Sequence, residues 1–316
     1  MKYLSNKNGF LGIDNKVNFK EKVVVVPFGL EKTVSYGGGT RNGPKEIIKA
    51  SHQVELYDEE LNCEPYKKIG IKTLKPFKID KNIKKALSKM SKINEEILNK
   101  KLFPMTFGGE HSITPGCIAP FVKKYKDICL LHFDAHADTG EDQFGALVGH
   151  GTPMRNLINN GYVRGDRFLQ LGLRGYWPED ATLNWMRDQG MRSYEMTEIH
   201  HRGMKAVLDE SFATLTDGCD GVFLSVDIDV VDPGMAPGTG TPEPGGMTSR
   251  ELLEAVRRIC LELPIVGIDV VEVAPPFDSA DITAILANRV VLEALSAIAK
   301  RRNGTTYSPT QNLLDR

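Results

Sequence analysis

Long apolar runs, a surplus of either charge and clustered cysteines are all lacking in this sequence of 316 residues. No apolar run approaches the roughly 18 residues that a helix needs to span a bilayer. The opening segment MKYLSNKNGFLGIDNK also lacks the apolar centre of a signal peptide. The formal net charge is −1, so no surplus of basic residues indicates a nucleic acid partner. We therefore expect a protein that binds neither a membrane nor nucleic acid.

Cysteine is scarce, and the five cysteines show no CxxC spacing: Cys63, Cys117, Cys129, Cys219 and Cys260. Such scattered positions are typical neither of a disulfide framework nor of a thiolate metal site. We expect most of them to be reduced core residues, which favours a cytoplasmic location.

Arginine is almost absent from residues 1–150, which contain 23 lysines and Arg41, whereas residues 151–316 contain 14 arginines and two lysines. The two side chains differ in chemistry, but no folding requirement separates them so sharply. Our hypothesis is that two sequence histories, in a mosaic or an engineered chimera, join near residues 127–150. The candidate site draws on both halves, so we predict a single domain over 1–316.

Apolar segments alternate with amphipathic segments along the chain. Their spacing predicts strands at 23–30, 102–107, 127–133, 167–173, 221–226 and 264–273, and helices at 43–51, 81–99, 114–125, 201–216, 248–262 and 282–302. This alternation favours a parallel sheet covered by helices on both faces. Ligands then bind beyond the carboxyl ends of the strands. Four polar motifs follow or close predicted strands and are candidates for that place: GGEHS, DAHAD, DIDVVDP and EVAPP.

The candidate ligands carry more negative charge than a buried site tolerates. They are four carboxylates and two imidazoles: His111, Asp134, His136, Asp138, Asp227 and Asp229. Carboxylates buried at short range raise one another's pKa and resist desolvation. Two divalent cations would balance the four negative charges and would activate a water for attack. Carboxylates with a minority of imidazoles suit Mn²⁺, and no thiolate favours structural zinc.

These motifs resemble the ureohydrolase family of arginases, agmatinases and guanidinobutyrases. The matching segments lie in the family's order: YGGGTRNGP (36–44), GGEHSIT (108–114), HFDAHADT (132–139), GHGTPM (149–154), SVDIDVVDPGMAPGTGTPEPGG (225–246) and GIDVVEVAPPFD (267–278). The resemblance implies a three-layer α/β/α fold with a central parallel sheet, usually assembled as trimers or hexamers.

The resemblance also implies that the six candidate residues hold two metal ions, usually Mn²⁺ and in some relatives Ni²⁺. Asp134 and Asp227 would bridge the two ions. The other ligands would divide into one pair for each ion: His111 with Asp138, and His136 with Asp229. His132 shares the alternation of HFDAHADT but lies inside the predicted strand, so we expect it to pack or to support the ligands from behind.

The reaction that the resemblance implies is hydrolysis of a guanidino group to urea and an amine. Glu272 would accept N–H groups of the guanidinium ion in a charge-assisted pair. Asp138 would pass a proton to the departing amine. His150 would act as a proton shuttle, since an imidazole titrates in the right range.

Agmatine, hydrolysed to putrescine and urea, is the substrate that we predict first. Arginine is disfavoured because the loop TGEDQFGALVGH (139–150) lacks the Asn and Ser of arginases, and because GYWPED (175–180) is aromatic where arginases are polar. Glu141 and Asp142 could receive the free ammonium of agmatine, and Trp177 could contact the substrate.

Two other substrates and two other classes of protein stay open. A guanidino acid such as 4-guanidinobutyrate would need a cation, for which Arg155 is the candidate. Free guanidine would need a short pocket closed by Phe144, Tyr176 or Trp177. A zinc deacetylase of the same general fold would use one zinc and fewer carboxylates. A catalytically silent ureohydrolase-like binding protein would usually have lost ligands, whereas every position here is filled.

Overall fold

Eight strands form one parallel sheet in the computed structural model, which describes residues 1–13, 21–142, 145, 148–177 and 179–301. The strands are β1 Glu21–Phe28, β2 Gly70–Thr73, β3 Phe103–Gly108, β4 Ile128–Phe133, β5 Phe168–Leu173, β6 Arg192–Glu195, β7 Gly221–Asp227 and β8 Ile265–Val271. They lie in the order β2-β1-β3-β8-β7-β4-β5-β6, and every pairing is parallel. The predicted parallel sheet is confirmed.

Helices cover both faces of this sheet. In the described part of the chain they are α1 Gly43–Ala50, α2 Pro65–Lys68, α3 Ile83–Asn99, α4 Thr114–Ile118, α5 Pro153–Asn159, α6 Asp180–Asp188, α7 Met196–Arg202, α8 Met204–Thr216, α9 Ser249–Glu262 and α10 Ile282–Arg301. One large apolar cluster contains side chains of α1, α8, α9 and α10, and a second contains side chains of α3, α4 and α5. The predicted three-layer α/β/α architecture is therefore confirmed.

Strand β1 shows how the apolar sequence builds these layers. Val23, Val24, Val25 and Val26 are all fully buried. Successive side chains of a strand point to opposite faces, so Val23 and Val25 join one cluster and Val24 and Val26 the other. Fully burying a side chain of this type contributes about 1.5–3 kcal/mol, which explains why an unbroken run of valines forms a central strand.

The structure adds elements that the sequence pattern did not predict. The edge strands β2 and β6 are only four residues long and include charged residues, so they lack the apolar signal of a buried strand. The helix predicted at 114–125 ends at Ile118. Pro120 cannot donate a backbone hydrogen bond, so the chain continues as a short 3-10 turn at Phe121–Lys123.

Two further expectations concern cysteines and membranes. Cys63, Cys117 and Cys260 are buried and free, as expected, whereas Cys129 and Cys219 form a disulfide that their separation of 90 residues did not suggest. Helix α10 is long and apolar enough to cross a membrane, but 83% of its apolar window is buried inside the protein. It is a core helix.

A buried row of polar side chains crosses the sheet near its carboxyl edge. The strand register places its members side by side on β3, β8, β7, β4, β5 and β6. We call this set the polar row: Thr106, Asp269, Ser225, His132, Gln170 and Ser193. All except the half-buried Ser193 are fully buried. Buried polar groups need hydrogen-bond partners, so this row must be satisfied from within the protein.

Candidate metal centre

Four neighbouring strands carry candidate ligands and the predicted substrate-binding residue Glu272 to one place. In the order of the sheet, β3 leads to His111, β8 to Glu272, β7 to Asp227 and β4 to Asp134. The chain passes from β3 to β4, which are separated in the sheet by β8 and β7. Ligand crevices of parallel sheets lie at such switch points, beyond the carboxyl ends of the strands. The fold therefore brings these residues together beyond the carboxyl ends of the strands, where the sequence analysis expected ligands to bind.

Two glycines allow the chain to approach closely around the ligands. A Cβ atom on Gly109, in GGEHS, would lie 1.9 Å from the carbonyl oxygen of Leu30. Gly172 has a φ of +110°, and its Cβ would lie 2.9 Å from the carbonyl oxygen of Asp134. Side chains at either position would displace the backbone that carries His111 or Asp134.

The imidazole of His111 is surrounded by three carboxylates. Its Nδ1 lies 3.1 Å from Oδ2 of Asp134, of Asp138 and of Asp227. The nitrogen is buried and makes no well-directed hydrogen bond. Ligands bound to one cation at about 2.1 Å lie about 3 Å from each other. The four atoms therefore have the spacing of a coordination shell, and the orphaned nitrogen fits a metal.

A second group shares Asp134 with the first. His136 Nδ1 lies 3.1 Å from Asp229 Oδ2 and 3.5 Å from Asp134 Oδ1. Asp134, His136 and Asp229 form a group that could hold a metal ion. The two oxygens of Asp134 thus face different histidines, which is the arrangement that a bridging carboxylate requires.

The electrostatics of the cluster favour bound cations. Burial raises the pKa of Asp227 well above its usual range, and the neighbouring Asp229 and Asp134 raise it further. Burial would lower the pKa of His136, but Asp229 and Asp134 raise it to about 12. Without cations to balance their charge, the clustered carboxylates and imidazoles therefore bind protons more tightly than usual. Divalent cations, which those oxygens and imidazoles suit, would compensate the same charge without protonating the ligands.

Both predicted catalytic carboxylates have left-handed backbone conformations. The φ angle is +52° at Asp138 and +62° at Glu272. Residues with a Cβ rarely adopt this region, and such strain concentrates at functional sites. At Glu272 it ends strand β8 and turns the side chain back, so that Oε1 accepts a hydrogen bond from His111 N at 2.7 Å. Burial raises the pKa of Glu272 well above its usual range.

An open cavity of about 320 Å³ gives access to the cluster. Its walls include Asp138, Asp227, Asp229, Glu272 and His150. The Nδ1 atom of His150 faces Glu272 Oε1 at 3.8 Å. The predicted catalytic residues therefore line the same cavity as the candidate ligands.

A buried carboxylate that the sequence analysis missed supports His150. Glu110 Oε2 accepts hydrogen bonds from the backbone of Lys32 and Thr33, and Glu110 Oε1 accepts one from Thr33 Oγ1. Thr33 Oγ1 in turn accepts the backbone N–H of His150, and Ser35 N donates to His150 Nε2 at 3.1 Å. That bond leaves Nδ1 as the nitrogen that faces the cavity.

The predicted substrate contacts are placed less favourably. Trp177 lines the cavity and packs near Ala137. Glu141 and Asp142 are exposed and are not among the residues of the cavity wall. The expectation that they face the substrate is therefore not supported, because their side chains extend into solvent from the loop. Tyr176 is fully exposed at the cavity wall, and Phe144 lies outside the described residues.

Arg155 does not face the cavity as a guanidino acid would require. Its Nε donates to the carbonyl oxygen of Thr139 at 2.7 Å, and its guanidinium lies over the ring of Trp185 at 4.1 Å. The side chain is buried and is not part of the cavity wall. It supports the loop after Asp138 from behind.

Arg174 is a cavity residue whose role the sequence analysis did not identify. Its guanidinium donates to the carbonyl oxygens of Asp229, Val230 and Glu243, with the shortest bonds at 2.6 and 2.7 Å. These bonds tie the loop of Asp229 to Glu243 in segment 233–246, which is rich in glycine and proline. The donors are occupied by the backbone and hold the ligand loop in place.

Replacing Arg174 by Lys is expected to lower stability and metal content together. One ammonium cannot satisfy carbonyls that a planar guanidinium serves at several points, so we expect a loss of about 3 kcal/mol. Urea denaturation and metal analysis of the purified protein measure the two effects. Arg164→Lys is the matched control, since Arg164 forms an exposed pair with Asp166. An equally stable, fully metal-loaded Arg174→Lys protein would contradict this role.

The fold and the cluster together define a class: a parallel α/β hydrolase with a candidate binuclear metal centre at the carboxyl edge of its sheet. The chain belongs to the arginase family, whose family description matches residues 21–297. Members of this family are binuclear metal enzymes that hydrolyse guanidino groups. The resemblance drawn from the motifs is confirmed at the level of the family.

Known relatives cover most of the chain. A guanidinobutyrase from Pseudomonas aeruginosa is 35% identical over 85% of this chain and 84% of its own length. An agmatinase from Bacillus cereus is 33% identical over 93% of this chain and 98% of its own. The solved structure of proclavaminate amidino hydrolase from Streptomyces clavuligerus has a TM-score of 0.84 and 29% identity, covering 93% of this chain and 97% of that one.

Proposed function

We propose that this chain hydrolyses agmatine to putrescine and urea. The observation that carries the proposal is the charge of the cavity. With two divalent cations balancing the four aspartate ligands, Glu272 remains as a carboxylate of the cavity wall, and the one arginine among the described wall residues already binds carbonyls. Such a cavity attracts a cation and offers a carboxylate no partner.

Two divalent metals are part of the proposal, with Mn²⁺ first and Ni²⁺ as the alternative. His111, Asp134, His136, Asp138, Asp227 and Asp229 would hold them. When bound, such metals supply a water of lowered pKa that can attack the guanidinium carbon. The six-residue set is complete, which favours an enzyme over a silent binding protein. Four carboxylates and the family match favour a ureohydrolase over a single-zinc deacetylase.

The proposed roles of the chain's own residues follow from the geometry. Glu272 would accept guanidinium N–H groups through the oxygen that His111 N leaves free. Asp138, beside the same carbon, would transfer a proton to the departing amine. His150 would exchange protons with solvent through Nδ1, because its Nε2 is engaged by Ser35. Trp177 would pack against the alkyl chain.

Two other substrates stay as alternatives. The similarity to a guanidinobutyrase favours 4-guanidinobutyrate, but Arg155 and Arg174 are both occupied elsewhere. Free guanidine shares the positive charge of agmatine but has no alkyl chain that could pack against Trp177 in the cavity wall. Agmatine uses both the charge and the apolar wall.

Urea release with agmatine, guanidine, 4-guanidinobutyrate, guanidinopropionate and arginine tests the substrate, with Mn²⁺ and with Ni²⁺. We expect kcat/KM for agmatine to exceed that for 4-guanidinobutyrate at least about tenfold, because an unpaired carboxylate near acidic groups costs more than 1.4 kcal/mol. A preference for 4-guanidinobutyrate would refute the charge argument. A preference for guanidine would refute the proposed packing of Trp177 against an alkyl chain.

Location and assembly complete the proposal. The cytoplasm is the proposed compartment: the three buried free thiols support it, and the Cys129–Cys219 disulfide opposes it. The family resemblance favours a homo-oligomer, a trimer or a hexamer. Exposed Phe277, Ile282 and Ile285 provide apolar surface that a subunit contact would cover.

A further inference from the structure

His132 is buried beside the metal cluster and lies close enough to His111 and Asp134 to form a third group of metal donors, but both of its ring nitrogens already have hydrogen-bond partners. Its Nε2 contacts Asp134 Oδ2 at 2.8 Å, and its Nδ1 contacts Gln170 Nε2 at 3.0 Å. The ring is fully buried. Because both ring nitrogens have hydrogen-bond partners, His132 does more than pack in the core. Its partners also show which nitrogen donates and which accepts.

The backbone carbonyl of Ala137 determines which atom is the donor in each of these hydrogen bonds. Gln170 Nε2 also lies 2.7 Å from the carbonyl oxygen of Ala137, which can only accept, so this atom is the amide nitrogen. Ser193 Oγ donates to the opposite atom, Gln170 Oε1, at 3.0 Å. The amide therefore donates to His132 Nδ1. The proton of the neutral imidazole must then be on Nε2, which donates to Asp134.

Each carboxylate oxygen of Asp134 accepts one hydrogen bond. Oδ2 accepts from His132, and Oδ1 accepts from the backbone N–H of His136 at 2.6 Å. A carboxylate has about four lone-pair positions, two on each oxygen. Each oxygen thus keeps one position, facing His111 Nδ1 on one side and His136 Nδ1 on the other. A carboxylate fixed in this way can bind two cations but cannot rotate to chelate one.

We propose that His132, Gln170 and Ser193 form a positioning relay that holds Asp134 in its bridging orientation and so sets the affinity of the centre for its metals. The relay rests on the proposed binuclear function. It crosses three adjacent strands of the polar row, β4, β5 and β6, from the buried ligand to a half-buried serine. Outer partners of metal ligands commonly change metal affinity about 10–100-fold when removed.

Two variants of His132 separate a relay from simple packing. His132→Phe keeps a ring in the core but removes the donor. His132→Gln retains a donor at the position of Nε2. The relay predicts that Phe lowers the affinity for Mn²⁺ about 10–100-fold and that Gln restores most of it. Packing alone predicts the opposite order, because the apolar ring fits a buried site better than an amide.

Competition with a fluorescent chelator measures the affinity for Mn²⁺ in the full-length protein, and mass spectrometry of dialysed samples counts the bound metal. The midpoint of thermal unfolding in EDTA controls for damage to the fold. A Phe variant that binds two Mn²⁺ as tightly as wild type would refute the proposed relay. If that variant does not fold, Gln170→Leu and Ser193→Ala carry the test, with a smaller loss expected for Ser193→Ala.

The same measurements distinguish this inference from the proposed function. Wild-type protein that binds no metal would refute both. Wild-type protein that binds two metals, with unchanged affinity in His132→Phe and Gln170→Leu, would refute the relay alone. Neither result depends on the choice of substrate.

Discussion

Asp227→Asn is expected to abolish urea release while leaving a folded protein that is more stable than wild type in EDTA. Asp227 Oδ2 lies 3.1 Å from His111 Nδ1, and its Oδ1 accepts the backbone N–H of Asp229 at 2.9 Å. Asparagine keeps the second contact and removes the charge. We expect a loss of at least about 10³-fold in kcat, because the remaining donors cannot neutralise and hold two divalent cations.

The gain in stability follows from the sign of the pKa shift. Burial and neighbouring carboxylates raise the pKa of Asp227 in the fold, so folding favours its neutral form. Above the pKa of the unfolded chain, the wild-type protein loses stability as pH rises, because this carboxyl must stay protonated or be buried charged. Asparagine does not titrate, so its advantage in EDTA should be largest at neutral pH and vanish at low pH.

Calorimetry in EDTA across pH, a urea assay and metal analysis measure these effects. Asp220→Asn is the control, since Asp220 lies exposed at the other end of β7 and accepts backbone hydrogen bonds that asparagine can also accept. We expect that variant to behave like wild type. Activity of Asp227→Asn within tenfold of wild type would contradict a bridging role for Asp227.

Glu272→Gln is expected to reduce kcat/KM about 10²–10³-fold with a normal metal content. Glutamine can still accept the His111 N–H, but it presents no negative charge to the guanidinium ion. Loss of a charge-assisted partner at a buried carboxylate costs about 3–4 kcal/mol. Steady-state kinetics with separate kcat and KM values checks the prediction, and metal analysis shows whether the centre is intact.

The backbone of Glu272 offers a second variant for the same question. Its φ of +62° suits glycine, so Glu272→Gly removes the side chain and relieves strain of about 1–3 kcal/mol. We expect Gly to be at least as stable as wild type and as inactive as Gln. If either variant kept kcat and KM within a few-fold of wild type, Glu272 would not bind the guanidinium ion.

The ligand set could be predicted from sequence because its signals are local. Alternation in HFDAHADT drew attention to Asp134, His136 and Asp138, and motifs at strand ends meet at one edge of a parallel sheet. The chain is not extended there, because β4 ends at Phe133 and the backbone of Asp138 is left-handed. His111 and Asp227 follow from the same rule. The strand order could not be predicted, because the crossover from β3 to β4 leaves no mark in the local pattern.

The supporting residues were missed because their partners are distant in sequence. Glu110 binds Thr33, 77 residues away, and Gln170 binds His132, 38 residues away. No period or motif marks such pairs. For Glu141 and Asp142 the sequence was misleading in the opposite way. Their charge suggested that they bind the ammonium of agmatine, but only the structure shows that both side chains are exposed. His132 was predicted to be no ligand. Both its nitrogens have hydrogen-bond partners, while its position beside His111 and Asp134 is also within reach of a metal, so this stays a prediction.

The polar row also limits which related sequences can be recombined into a functional chimera of this protein. Thr106 comes from the lysine-rich half and His132 lies within the proposed junction, while four members come from the arginine-rich half: Gln170, Ser193, Ser225 and Asp269. Any recombination near residues 127–150 had to supply both halves with matching donors and acceptors at once. Parents that differ in this row should give hybrids that fold around the valines of β1 yet fail to load metal. Compatibility across the row, more than overall identity, would then decide which parents can be spliced.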